Sequence, residues 1–141
     1  MQASARLRRL TGVFFALKRA MHERLERSRS PGPRHADLPR LAVLGFVRER
    51  GEASMKDIAG FLCVSPPSAT ALVDGVAAAG LLARRQDSKD RRSVLLRLTP
   101  KGERLLVVGT RKAQAVMAGM LGRLDASEQD RLIALLEKLL V

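Results

Sequence analysis

One cysteine, no tryptophan and no tyrosine set the first limits on this chain. A lone thiol cannot close an internal disulfide, and with only two histidines beside it the ligand set is too small for a metal site. No metal and no cofactor is therefore expected, and the cysteine usage suits a reducing cytoplasm. Four phenylalanines are the only aromatics, so a core must be assembled from Leu, Val, Ala and Met. Long apolar runs are missing too. Val13 to Leu17 is far too short to cross a bilayer, and Lys18 and Arg19 follow it with no plausible cleavage pattern. It is read as part of a folded helix, with no membrane partner expected. Neither histidine lies in a recognisable nucleophile motif, there is no Gly-rich phosphate loop, and no metal-ligand pair has usable spacing, which argues against an enzyme.

Acidic residues are scarce: 14 Asp and Glu face 26 Lys and Arg, a net charge of +12 over 141 residues. That length suits one domain with a real core. The excess charge suits a polyanionic partner, nucleic acid first and an acidic surface less specifically. Its placement is uneven. Residues 84–104 carry 8 basic against 3 acidic side chains, whereas residues 51–83 carry 1 against 3. Residues 1–50 carry 12 against 4, which fits either a second phosphate contact or a solvated face, and is read as the latter.

The stretch from Ser65 to Thr99 organises the rest. Ser65 is a good N-cap and Pro66 sits where a missing N–H costs nothing, so a helix is predicted to start there. Ala69, Leu72, Val73 and Val76 recur on one face, while Pro67, Ser68, Thr70, Ala71 and Asp74 make a small-residue face able to lie close to a flat or grooved partner. Gly80 is a natural stop. Leu81–Gln86 and Ser93–Leu98 then read as two strands, joined by the turn Asp87-Ser88-Lys89-Asp90-Arg91-Arg92. A helix followed by a hairpin with a cationic tip is the layout of a winged helix-turn-helix. Upstream, Asp37 can cap a helix from Leu38 to about Arg50, stopped by Gly51, and Ser54 with Asp57 makes an approximate capping box for a shorter helix carrying Ile58, Ala59 and Leu62.

Residues 38–104 resemble the MarR family of bacterial transcription regulators, whose wing commonly carries Asp-x-Arg-Asp-Arg-Arg; here Lys89 replaces one Arg, keeping the charge but losing the planar fork. The resemblance implies a mainly α fold with a small β-hairpin, a winged helix-turn-helix flanked by N- and C-terminal dimerisation helices. The boundaries are 38–98 for the DNA-binding core and 4–29 and 100–141 for the dimerisation helices, all within one domain. It also implies a homodimer on double-stranded DNA, a pseudo-palindromic operator, a repressor role and a small-molecule effector of unknown identity. The recognition helix, with Ser65, Pro67, Ser68 and Thr70, would enter the major groove. Arg92 would enter the minor groove, Arg91 would meet phosphate, Asp90 would orient one of the arginines, and Arg84, Arg85 and Lys89 would contact phosphates. The alternative is a basic architectural protein that coats DNA with little sequence preference.

The outer segments agree in pattern. Leu7, Leu10, Phe14, Leu17 and Met21 predict a helix of five or six turns with a narrow apolar stripe. Ser30 to Pro33 reads as a turn-rich linker. Thr99-Pro100 starts a long helix weakened by Gly109, Gly119 and Gly122, and Asp125 with Glu128 caps a last helix carrying Leu132, Leu135, Leu136, Leu139 and Leu140. These ends offer more apolar surface than the middle can cover. Cys63 is expected to be a buried small hydrophobe. His22, His35, Phe14, Phe15, Phe46 and Met117 are read as core before they are read as the lining of a ligand pocket.

Overall fold

A computed structural model describes residues 2–28 and 38–140. The chain divides into a unit of residues 31–111 and a unit of residues 1–30 with 112–141. In the first unit α2 (Leu38–Arg50) leads through β1 (Ala53–Ser54) into α3 (Met55–Leu62) and α4 (Pro66–Ala78), and the strands β2 (Leu82–Gln86) and β3 (Val94–Leu98) follow. The second unit holds α1 (Gln2–Arg27), the later part of α5 (Pro100–Leu121), and α6 (Ala126–Glu137).

The predicted caps form. Ser54 Oγ accepts from Asp57 N at 3.1 Å while Asp57 Oδ2 accepts from Ser54 N at 3.1 Å, so two otherwise unpartnered donors are satisfied together. Asp125 and Glu128 repeat the arrangement at 2.8 and 2.9 Å. Gly51 and Gly80, at φ +80° and +76°, supply the left-handed turns that follow α2 and α4. The expected Asp37 cap, the Ser30–Pro33 linker and His35 lie outside the described residues.

The predicted hairpin is part of a three-stranded antiparallel sheet in the order β1-β3-β2. The added strand is only two residues, Ala53 opposite Leu96 and Ser54 opposite Leu95. A pair that short leaves no alternation to read, and Ser54 is also the cap of α3. The hairpin strands are each one residue shorter than expected: Leu81 and Ser93 fall just before β2 and β3. α1 is longer, at 26 residues.

Leu41, Val43, Leu44 and Val47 of α2, Ile58 of α3, Val73 and Val76 of α4, and Leu81, Leu82 and Leu96 from the sheet region form the core of the first unit, with Ala53 and Leu106. It is aliphatic throughout, as the shortage of aromatics requires. Phe46 is half-buried and stacks on Phe61 with centroids 4.3 Å apart.

Two readings need correction. Cys63 is exposed, not buried. It sits at φ +53°, its N–H donates to Gly60 O and the N–H of Val64 donates to Ala59 O, both at 3.3 Å. That pairing is the Schellman end of α3, a place usually taken by glycine, and it turns the side chain outward. Gly109 is buried, and rather than merely weakening α5 it admits Leu41: a Cβ there would lie 2.3 Å from Leu41 Cδ2.

Gly102 is tighter still, since its Cβ would lie 2.2 Å from the backbone oxygen of Leu81. Gly102→Ala is expected to cost about 1–3 kcal/mol because backbone must move, whereas Gly60→Ala, with nothing within 4 Å, should be neutral or gain up to about 1 kcal/mol. Urea denaturation of both variants reads the contrast.

The Asp57 carboxyl is held below the usual carboxylate range, chiefly by the hydrogen bond from the Ser54 amide and then by that with its side chain, with burial opposing. The unfolded chain therefore binds the proton more readily. The contribution is complete above about pH 4, the unfolded value, and is lost as pH falls through the lowered folded value. The stability gap between the natural chain and Asp57→Ala should accordingly be constant at neutral pH and shrink below that range, as measured by denaturation midpoints.

Candidate nucleic-acid interface

The axis turns through 109° between α3 and α4, within the range of a helix-turn-helix. No single helix among the described residues is long and apolar enough to cross a membrane, and the α3–α4 pair passes that test only jointly. α4 begins as its sequence demands: Ser65 Oγ accepts from Ser68 N at 3.4 Å and donates to Ser68 Oγ at 3.0 Å, with Pro66 in the first turn. Ala69, Val73 and Val76 are buried beneath it, which leaves Pro67, Ser68, Thr70, Ala71 and Asp74 exposed. Thr70 Oγ1 donates back to Pro66 O at 2.9 Å, so its hydroxyl is engaged with its own helix.

The wing tip is residues 87–93. Its frame is Asp87 N donating to Ser93 O at 2.9 Å and Ser93 N donating to Asp90 O at 3.0 Å. Both carboxylates then turn inward. Asp87 Oδ1 accepts from Lys89 N at 2.9 Å, Asp90 Oδ1 from Arg92 N at 3.0 Å, and Asp90 Oδ2 from Ser93 Oγ at 3.1 Å. Gln86 Nε2 adds a bond to Arg91 O at 2.7 Å. Asp90 was expected to hold an arginine by its guanidinium; instead it holds Arg92 by the backbone amide. Short Asp side chains reach amides two residues on far more easily than the end of a long cation. Lys89, Arg91 and Arg92 remain exposed, and no described residue bonds to their side-chain nitrogens.

The strand arginines differ. In the register Arg84 lies opposite Leu96 and Arg85 opposite Leu95, so the two point to opposite faces of the sheet. Arg84 shares the face of Leu96 and pairs with Asp74 of α4. Arg85 meets Glu52 through a two-pronged contact, Nε to Oε1 at 3.2 Å and Nη2 to Oε2 at 2.7 Å, and Arg97 Nε lies 3.5 Å from Glu52 Oε1. The Glu52 carboxyl is held below its ordinary range, first by the Arg85 hydrogen bond, and the Arg85 guanidinium is correspondingly raised.

The sequence-predicted residues therefore form one series from the exposed side of α4 to the wing tip, with Arg84 and Arg85 tied down at its base. Glu52 and Arg97 were not singled out in the sequence. The signal for them lies in pairing β1 with β3, which brings residues 33 apart into contact. Phe46 lies in one unit and Phe14, Phe15, His22 and Met117 in the other; Phe14 and Phe15 are exposed rather than core. No cluster of three or more His, Cys, Asp or Glu able to hold a metal occurs among the described residues.

Residues 37–94 match the sequence model of the MarR family. The uncharacterised HTH-type transcriptional regulator YwhA of Bacillus subtilis is 27% identical over 107 residues, 76% of this chain and 77% of YwhA. BpsR of Bordetella bronchiseptica, whose DNA binding is regulated by 6-hydroxynicotinic acid, has a similar structure: TM-score 0.71, 25% identity, covering 92% of this chain and 99% of BpsR. A mutant of MarR from E. coli, complexed with operator DNA, is similar in fold with TM-score 0.74 and 23% identity over 96% of this chain and 94% of that one. Together with the helix-turn-helix, the sheet and the wing, these likenesses identify residues 37–94 as a domain similar to that of the MarR family of winged helix-turn-helix transcription regulators.

Proposed function

We propose that this chain acts in the cytoplasm as a homodimeric, sequence-specific repressor on a pseudo-palindromic operator. The observation that carries the reading is the division of labour at the wing tip: Asp87 and Asp90 are occupied by backbone amides and a hydroxyl, which leaves Lys89, Arg91 and Arg92 exposed on a rigid turn. A tip of that kind offers concentrated positive charge on a backbone that is already ordered. Arg92 enters the minor groove, where narrow A·T-rich segments attract arginine. Arg91 and Lys89 meet phosphate. The exposed face of α4, Pro67, Ser68 and Thr70 with the cap Ser65, lies in the major groove, where hydroxyls and the Thr methyl read base edges and thymine methyls. Without an arginine on that face, specificity draws on groove shape as well as on direct contacts.

Residues 38–98 form the reading core on this proposal, and residues 4–29 and 100–141 the dimerisation helices. Leu7, Leu10, Phe14 and Leu17 of α1 and Leu135, Leu136, Leu139 and Leu140 near the C-terminus are exposed large apolar side chains. A second copy is the natural cover for so much apolar surface. Two reading heads about 34–36 Å apart would then fit successive major grooves. The likeness to BpsR supports regulation by a small molecule, whose identity is left open.

In vitro selection of DNA by the purified protein should recover an inverted repeat with half-sites about one helical turn apart. Unenriched DNA that washes off with salt would favour a DNA-coating role instead. Arg92→Ala should weaken binding to the selected site by about tenfold or more while the solution mass stays unchanged; normal binding would remove the wing from the mechanism. Replacing Leu132 and Leu136 together by Glu should halve the mass seen in sedimentation, and an unchanged mass would refute the assignment of α6 to the dimer.

A further inference from the structure

The wing holds more arginine than its tip presents. Arg85 and Arg97 stand on β2 and β3, and Glu52, one residue before β1, draws both toward itself. The geometry is specific. Arg85 offers its planar fork to both carboxylate oxygens, and Arg97 approaches the oxygen that already accepts from Arg85 Nε. Glu52 is the least exposed of the three side chains at 28%, against 46% and 60% for the arginines. It belongs to none of the groups expected to touch DNA, and it is paired with two arginines at once.

We propose that Glu52 is a specificity-determining residue that withholds Arg85 and Arg97 from the DNA backbone, lowering the sequence-independent part of binding so that the contacts of α4 and the wing tip decide where the protein stays. The inference rests on the DNA-binding reading above. The physical argument is one of charge and screening. Phosphate contacts supply affinity without information, and each cation placed on a phosphate releases a counterion and steepens the salt dependence. An arginine already held at 2.7 Å by a carboxylate must give up that bond before it can do the same. One carboxylate holds both arginines off the backbone, so Glu52 withholds roughly two phosphate contacts per protomer. A protein of net charge +12 risks binding every stretch of duplex alike, and a residue that mutes part of that charge at the wing raises the ratio of specific to non-specific binding without touching a base.

The test uses the full chain on a duplex of unrelated sequence, followed by fluorescence anisotropy from about 50 to 200 mM salt. Glu52→Gln should bind this DNA more tightly than the natural chain. Its loss of affinity across that range should exceed the natural chain's by about tenfold per protomer. Adding Arg85→Gln and Arg97→Gln to Glu52→Gln should return the salt dependence to the natural value. Arg85→Gln alone, which removes a cation already withheld, should leave that dependence unchanged, and this variant decides the matter should Glu52→Gln fail to fold. An equal salt dependence in Glu52→Gln, or a shallower one in Arg85→Gln alone, would overturn the proposal, since a purely structural strut would change melting temperature and not counterion release. If the natural chain holds no duplex even at the lowest salt, the DNA-binding reading itself has failed.

Discussion

The first unit turns on the close passage of α5 beneath the carbonyl of Leu81. Gly102 has no Cβ, and only for that reason can the first turn of α5 lie against that oxygen. Around the same point Thr99 N donates to Leu81 O at 3.1 Å, Thr99 Oγ1 donates to Gly80 O at 2.6 Å and accepts from Gly102 N at 3.0 Å, and Lys101 Nζ donates to Ala79 O at 2.8 Å. Three carbonyls that follow α4 are thereby satisfied by two residues at the start of α5, Thr99 and Lys101. The Lys101 ammonium also sits where the negative end of the α4 dipole favours a cation. Since β2 leaves this junction and β3 returns to it, the direction of the hairpin relative to α4 is set by the same bonds. Helix and wing are thus tied at one junction, which the proposed reading of adjacent grooves requires.

Charge is sorted on that frame by the reach of the side chains. Asp87 and Asp90 are too short to meet a distant guanidinium and so close onto nearby amides, stiffening the tip. Asp74, projecting from α4, and Glu52, preceding β1, meet arginines that the strand register delivers to the two faces of the sheet. These are exposed pairs, and each contributes little to folding stability. Their consequence is in which cations stay mobile: those on the strands are held, and those at the tip are not.

Much of this was legible because local chemistry agreed with the fold. The Ser54–Asp57 and Asp125–Glu128 boxes, the Ser65-Pro66 start and the stops at Gly51 and Gly80 are short-range signals, and each appears where its residues stand. What escaped depends on partners distant in sequence. β1 is two residues long and exists only because β3 lies beside it. Glu52 acquires meaning only once β1 is paired. Gly109 reads as a helix weakness until Leu41 is seen against it, and Gly102 carries no signal at all until Leu81 is. Cys63 was misjudged for a different reason: composition favours a buried thiol, but the end of α3 needed a left-handed residue, and that geometry overrode the preference.

The second unit shows the same dependence on something outside itself, carried further. Neither α1 nor α6 has a fully buried residue, and α1 has no acidic residue in its first turn to favour its N-terminus. Helices stripped of tertiary packing are marginal in water even at good length, because nucleation is costly and propagation returns little per residue. Their apolar rows, Leu7 to Leu17 in one and Ile133 to Leu136 in the other, stand exposed, a cost that the proposed second copy would offset. On the proposal of a homodimer, folding of these helices and assembly are one process, whereas the first unit already owns an aliphatic core of its own. The reading head is then the stable part and the dimer arms the adjustable one. That is the order of stabilities a regulator needs if a small molecule is to alter the spacing of two heads without unfolding either.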